Sequence, residues 1–266
     1  LGPVLEKLEV EYAGRFKLVK IDSDQEQQIA AMFGIRSIPT CVLLMNGQPV
    51  DGFMGALPEG QVREFLDKHL PSVEEVEADE AESEALDALA EGDTASALEH
   101  LQHAVATDPA NDEARFDYVK LLLQLGREDD AKVAFAPVIA KAAGSRRLGA
   151  LKDWMDALDF VAASAYGESA GAEFDAKIAA NKRDFEARFG RARWLMAQQR
   201  WTEAMDELLE ILMRDKAWGE EAARKTYVSI LEIIEPPKPK VAEGQIPPED
   251  PVVATYRRRL SSVVLS

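Results

Sequence analysis

Cys41 is the only thiol in the sequence, and it opens an apolar run that ends at Met45. Thiol chemistry proceeds through the thiolate, which a second cysteine or a nearby positive charge favours. Arg36 is the only cation close to Cys41 along the chain. Two interpretations stay open: Cys41 is a small buried residue of a strand, or it is a single-cysteine site that forms mixed disulfides with bound proteins.

No other set of side chains has the types and spacing of a catalytic or metal site. His100 and His103 are placed to share a helix face, but no Cys and no third His lies at ligand spacing from them. Gly-rich phosphate loops, paired catalytic carboxylates and Ser-His-Asp arrangements do not stand out. We therefore predict no catalytic residues, no metal and no cofactor, and we expect that the chain is not an enzyme.

The composition excludes several classes of partner. A formal net charge of -17 argues against nucleic-acid binding, because that affinity comes from Lys and Arg neutralising phosphates. No apolar run approaches the roughly 20 residues of a membrane span, and no signal peptide is visible. A single cysteine excludes an internal disulfide framework and suits a reducing compartment. We expect a cytoplasmic protein of two domains that binds neither nucleic acid nor membrane.

The elements that must position Cys41 are predicted by turn and cap signals. Gly34 predicts the end of a helix, because glycine takes a positive φ without strain. Pro39 fits the entrance of a strand over 41–45, since proline cannot donate a hydrogen bond in a strand interior. The Asn-Gly pair at 46–47 then predicts a hairpin turn into a second strand at 49–53.

This pattern resembles the second half of a thioredoxin fold, on the run from Gly34 to Thr40 and the Asn-Gly pair that follows it. Residues 1–8 are similar to the end of the thioredoxin active-site helix, and residues 16–22 are similar to the next strand. The resemblance implies an α/β thioredoxin-like domain over residues 1–71. The resemblance implies that the first strands and the Cys-x-x-Cys pair are missing from this domain. We therefore expect either a processed or truncated product, or a smaller thioredoxin-like domain as the natural state.

The resemblance also implies a peptide-binding loop with a cis proline. It gives four candidates for contact with client proteins: Ser37, Ile38, Pro39 and Thr40. A tight turn with no binding role is the alternative interpretation of the same residues.

Beyond this domain, residues 72–80 are predicted to be an acidic, solvated linker or the fraying start of a helix, and residues 81–235 an all-α domain. Ala97, Leu101 and Ala104 have the spacing of a tetratricopeptide second helix, and a shift of 34 residues finds matching positions. The run Glu-Ala-Arg-Phe at 113–116 recurs 73 residues later, at 186–189. We expect three tetratricopeptide-like helix pairs that stack through small residues, with a less regular insertion over 144–182.

The C-terminal part is predicted as a Pro-rich connector over 236–251 and an amphipathic docking helix over 252–266. Asp250 has the position of the helix N-cap. The apolar stripe of this helix lies opposite three arginines and suits binding in a groove of a partner, or equally folding back on the repeats. The candidates for docking are Val253, Tyr256, Arg257, Arg258 and Leu260.

The order of these parts resembles the bacterial chaperedoxins of the CnoX (YbbN) family. The resemblance implies an ATP-independent holdase and co-chaperone that binds unfolding or oxidised client proteins and passes them to the GroEL chaperonin and the DnaK system. It implies that the C-terminal helix docks on the chaperonin. Two other functions remain open: a thiol-disulfide oxidoreductase, if an upstream Cys-x-x-Cys exists, and a tetratricopeptide scaffold for a different partner.

Overall fold

The computed structural model of the protein describes residues 1–165, 167–237 and 245–265. The chain divides into two compact units, Leu1–Val76 and Glu77–Ser266. Among the described residues, no helix is both long enough and apolar enough to cross a membrane. The stretch of the predicted connector from 238 to 244, and residue 266 of the predicted docking helix, lie outside the described residues.

The first unit is an α/β arrangement around a small antiparallel hairpin, as predicted. Its turn has Asn46 at φ 51° and Gly47 at φ 75°, the positive values that an Asn-Gly hairpin turn requires. Gly34 ends the second helix at φ 63°. The elements of this unit are α1 (Gly2–Glu11), α2 (Gln27–Met32), β1 (Thr40–Met45), β2 (Gln48–Met54) and α3 (Glu59–His69).

The core of this unit lies between α1, α3 and one face of the hairpin. Leu8 of α1 and Val62 of α3 are completely buried. Phe53 of β2 packs edge to face against Phe65 of α3, with ring centroids 5.1 Å apart. The aromatic pair covers the inner face of the hairpin and fixes which strand residues point inward.

The expected strand over residues 16–22 is wrong, because residues 17–22 contain no strand. Val19 and Ile21 are 66% and 50% exposed. A strand exists only through hydrogen bonds to a neighbouring strand, and the described sheet consists of β1 and β2. The amide of Leu18 donates instead to the carboxylate of Glu9, at 2.7 Å.

The second unit is almost wholly helical, as the repeat pattern predicts. Its helices are α4 (Val73–Ala90, which begins in the first unit), α5 (Thr94–Thr107), α6 (Asp112–Gln124), α7 (Glu128–Phe135), α8 (Arg146–Ala162), α9 (Ala170–Ala180), α10 (Phe185–Ala197), α11 (Trp201–Leu212), α12 (Trp218–Ile234) and α13 (Pro251–Leu265). A 3₁₀ segment, Ala136–Gly144, joins α7 to α8. The predicted insertion over 144–182 therefore contains α8 and α9.

The interpretation of residues 72–80 as a solvated linker needs correction, because α4 begins at Val73. Ser72 and Glu75 form a reciprocal cap, in which the Glu75 amide donates to the Ser72 hydroxyl and the Ser72 amide donates to the Glu75 carboxylate. Ala78 is completely buried and Ala81 is 4% exposed in a cluster of small residues. The acidic residues occupy the outer face of a packed helix.

The three predicted helix pairs are α4–α5, α6–α7 and α10–α11. The caps that open α6 and α10 correspond: Asn111 accepts from the Ala114 amide, and Asp184 accepts from the Ala187 amide, each at 2.9 Å.

Trp154 of α8 is 1% exposed and packs edge to face against Trp201 of α11, with centroids 4.7 Å apart. This aromatic contact belongs to the packing between helix pairs.

Candidate functional site

The predicted client-contact loop immediately precedes β1. The Ile38–Pro39 peptide bond is cis. Ser37 is exposed, and the Ile38 side chain is 75% exposed. The Thr40 hydroxyl donates to the Ser37 carbonyl at 2.6 Å, which closes the turn. The loop therefore presents an apolar side chain beside a main chain that is held in a fixed turn.

Cys41 lies one residue into β1 and pairs with Phe53 of β2. Its side chain is half-buried, and the structure records it as a free thiol. Burial raises the pKa of the Cys41 thiol above its ordinary value, because the apolar surroundings disfavour the thiolate. The direction of this shift favours the interpretation of Cys41 as a strand residue over that of a reactive thiol.

The C-terminal helix begins where the sequence predicts. The Asp250 carboxylate accepts hydrogen bonds from the amides of Val252 and Val253, at 2.9 and 3.0 Å, and so caps the first turn of α13. The helix then folds back on the repeats, which is the second of the two arrangements that the apolar stripe suggested.

The apolar face of α13 packs on α11 and α12. Val253 is completely buried in the core cluster of these helices, and Tyr256 and Leu260 pack against that cluster. The hydroxyl of Tyr227 on α12 donates to the Tyr256 carbonyl at 2.8 Å. Three of the five docking candidates are therefore already in contact with the protein's own helices.

Polar contacts of three side chains also hold α13: those of Tyr256, Arg257 and Arg259. Asp206 of α11 accepts from the Tyr256 hydroxyl at 3.1 Å and pairs with Arg259 at 2.5 Å. Arg257 pairs with Glu235 at 2.9 Å and with Glu249 at 2.5 Å. Arg258 remains exposed, and its recorded contact is with Thr255 of the same helix. Of the docking candidates, Arg258 presents its charge most freely.

No sequence pattern pointed to the three residues that hold α13 in place, Asp206, Tyr227 and Glu235. Asp206 and Glu235 have a residue type that is common on helix surfaces, Tyr227 is a core aromatic residue, and no short motif contains any of them. The useful signal was the apolar stripe of 252–266, which required some covering surface but did not say which one.

Comparisons with known proteins agree with this division of the chain. A family model described as thioredoxin matches residues 1–68. Two models described as tetratricopeptide repeat match residues 88–154 and 164–264, and the second of these includes most of α13. The helix predicted as a detached docking element thus lies within the part that matches the repeats.

Several curated thioredoxins are similar to the N-terminal region. Thioredoxin of Haemophilus influenzae is 46% identical over 70 residues, which are 26% of this chain and 65% of that protein. Thioredoxin 1 of Nostoc sp. is 40% identical over 70 residues, with the same coverage of 26% and 65%. A thioredoxin of Staphylococcus aureus is 41% identical over 70 residues, which are 67% of its length. The chain thus spans about two thirds of the length of these relatives.

Proposed function

This chain belongs to the thioredoxin family through its N-terminal region and carries tetratricopeptide repeats after it, and on that premise we propose that it is a holdase and co-chaperone. It binds unfolding or oxidised client proteins without using ATP and delivers them to a GroEL-type chaperonin and the DnaK system. The single observation that carries the proposal is the exposed Ile38 in a thioredoxin-type loop, whose turn is closed by the hydrogen bond from the Thr40 hydroxyl to the Ser37 carbonyl, in a chain that continues into a repeat domain.

Client binding in this proposal is weak and distributed. Ile38 offers an apolar contact next to a fixed main-chain turn, and unfolded proteins expose both apolar side chains and unpaired main-chain groups. The repeats add a second surface on the same chain, so that two weak contacts together give useful retention. The raised pKa of the Cys41 thiol supports a role in holding clients and not in exchanging disulfides with them, because less of the reactive thiolate is present. We place the protein in the cytoplasm, in keeping with its single cysteine.

Delivery to the chaperonin is assigned to α13. Docking through Val253, Tyr256 and Leu260 requires α13 to detach from α11 and α12, because those side chains pack in the protein's own core cluster. Docking through Arg258 does not require that release, since this side chain is already exposed.

Co-elution with GroEL on size exclusion tests the delivery step. We expect the purified full chain to co-elute with GroEL and a version that ends at Pro251 not to do so. If neither version co-elutes, the chaperonin proposal fails and a scaffold for a different partner becomes the better interpretation. If both co-elute, the assignment to α13 is wrong.

Suppression of aggregation tests the client-binding step separately. We expect the full chain to reduce light scattering by a thermally unfolding model client, and Ile38→Asp to weaken that effect. Ile246→Asp is the matched control, because Ile246 is 93% exposed and lies outside the loop. Equal activity of the two variants would remove Ile38 from the client site.

A further inference from the structure

An open cavity of about 610 Å³ lies between α8, α12 and the end of the 3₁₀ segment. Its lining residues follow helical spacing on both helices: Arg146 and Gly149 share one face of α8, and Lys225, Val228 and Ser229 share one face of α12. Gly149 lets α8 lie close to the 3₁₀ segment at one wall of the cavity, since a Cβ there would lie 3.0 Å from the Ala142 carbonyl oxygen.

The cavity is basic in a chain whose net charge is -17. Four of its lining residues are cationic: Arg146, Lys152, Arg224 and Lys225. Lys152 pairs with Asp156 at 2.6 Å, and Arg224 pairs with Glu221 at 3.0 Å. Arg146 and Lys225 have no hydrogen bond or ion pair with the rest of the described chain. The cavity therefore contains two positive charges that no described carboxylate neutralises.

Part of the cavity wall is apolar. Ile139 is 57% exposed, and Val228 is half-buried. Two carboxylates also line the cavity. Glu221 pairs with Arg224, and Asp153 accepts a hydrogen bond from the Ser229 hydroxyl at 2.6 Å. This arrangement separates an apolar wall from free cations that come from two different helices, α8 and α12.

We propose that this cavity binds an acidic polypeptide segment, with carboxylates at Arg146 and Lys225 and an apolar side chain against Ile139 and Val228. Charge complementarity selects the partner, since an acidic segment meets unpaired cations here but meets repulsion over most of the protein. Phosphate sites commonly use converging main-chain amides, whereas this cavity combines side-chain cations with an apolar wall, which suits a peptide. The inference holds whether or not the chain delivers clients to a chaperonin.

Fluorescence anisotropy with the full chain tests this proposal. The probe is a labelled peptide of alternating glutamate and leucine, and the comparison probe has lysine in place of glutamate. We expect the acidic peptide to bind, the basic peptide not to bind, and affinity for the acidic peptide to fall as NaCl rises from about 50 to about 500 mM.

The double variant R146E/K225E should bind the acidic peptide about tenfold more weakly. The matched control is K17E/K182E, because Lys17 and Lys182 are exposed, have no ion pair within the described residues, and undergo the same change of charge. The control should change the affinity by less than about twofold. Far-UV circular dichroism checks that each variant is folded, and R146Q/K225Q replaces the first variant if it is not.

Three results would overturn the proposal. They are equal binding of the acidic and basic peptides, equal loss of affinity in the two double variants, and displacement of the peptide by inorganic phosphate at constant ionic strength. The last result would identify a small-anion site. None of these measurements involves a chaperonin, so failure here is distinguishable from failure of the co-chaperone proposal.

Discussion

Arg115 and Arg188 make the same main-chain contact at equivalent positions of two repeats. Each guanidinium donates to a carbonyl oxygen six residues earlier, that of Pro109 at 3.2 Å and that of Lys182 at 2.8 Å. Each arginine is 5% exposed. Their second acceptors also correspond, 19 residues later in both cases, but Arg115 meets a carbonyl whereas Arg188 meets the Glu207 carboxylate. In each of these repeats a buried arginine therefore joins the two helices of a pair. The acceptor on the second helix is a main-chain carbonyl in one repeat and a carboxylate in the other.

Arg188→Met is expected to destabilise the helical unit by about 3 kcal/mol, because it leaves Glu207 buried with a single remaining partner. That partner is Arg191, at 2.8 Å. The measurement is urea unfolding followed by tryptophan fluorescence, which reports on the helical unit alone because all four tryptophans lie there. The double variant R188M/E207M should recover most of the loss, and R115M should cost about 1 to 2 kcal/mol. A smaller cost for R188M than for R115M would contradict this account.

Gln199→Gly is expected to stabilise the protein by about 0.5 to 1 kcal/mol. Gln199 has φ 58° at the turn after α10, where the corresponding residue after α6 is Gly126, at φ 72°. A residue with a Cβ is strained in this left-handed conformation, and glycine relieves the strain. Gly126→Ala is the matched control and should destabilise. If both variants shift the urea midpoint in the same direction, backbone strain at Gln199 does not limit the stability of this turn.

Local signals were sufficient to predict the hairpin and the caps, because their causes lie within a few residues. The Asn-Gly turn at 46–47 and the Asp250 cap follow from φ preferences and from side-chain acceptors near the amides that they satisfy. The repeat was also predictable, since the 73-residue shift that relates Arg115 to Arg188 is visible as a recurring four-residue motif.

What the sequence did not reveal depends on distant partners. Residues 16–22 have the composition of a strand, but their hydrogen bonding is decided by which strand lies beside them. The stripe of the C-terminal helix required a covering surface, which two distant helices supply. Asp206 of α11 lies 50 residues before its partner Tyr256, and Tyr227 of α12 lies 29 residues before it. The turn before β1 was predicted correctly from its proline, whereas its role in client contact stays a prediction.

Asp206→Ala is expected to loosen α13 without unfolding the repeats. The substitution removes the acceptor of the Tyr256 hydroxyl and the ion pair with Arg259, while the buried Val253 remains in place. Hydrogen exchange of the amides in 251–265 should become about three- to tenfold faster. Asp159→Ala is the control, because Asp159 pairs with Lys132 away from α13. Unchanged exchange in 251–265 would mean that apolar packing alone holds the helix.

Asp153→Asn is expected to reduce the dependence of stability on pH. Burial raises the pKa of the Asp153 carboxyl above its ordinary value of 3.8, although the Ser229 hydrogen bond opposes the shift. The folded protein therefore holds this proton more tightly than the unfolded chain, and stability is lost as pH rises from 3.8 through the raised pKa. The asparagine variant should lose less stability over that range in urea unfolding. The control is Asp129→Asn, at an exposed position, whose stability should depend on pH as that of the unmodified protein does. If the stability of D153N also falls with pH as steeply as that of the unmodified protein, Asp153 is not the group responsible.

Cys41 is expected to react slowly with alkylating reagents. Burial raises the pKa of its thiol, so less thiolate is present at a given pH than in an exposed cysteine. Mass spectrometry should find alkylation by iodoacetamide at mildly alkaline pH at least about threefold slower than for glutathione, and denaturation in urea should remove the difference. Because the thiol contributes packing and not chemistry in this account, Cys41→Ala should leave suppression of client aggregation unchanged. Fast alkylation of the folded protein, together with loss of suppression in Cys41→Ala, would instead support a mixed-disulfide role.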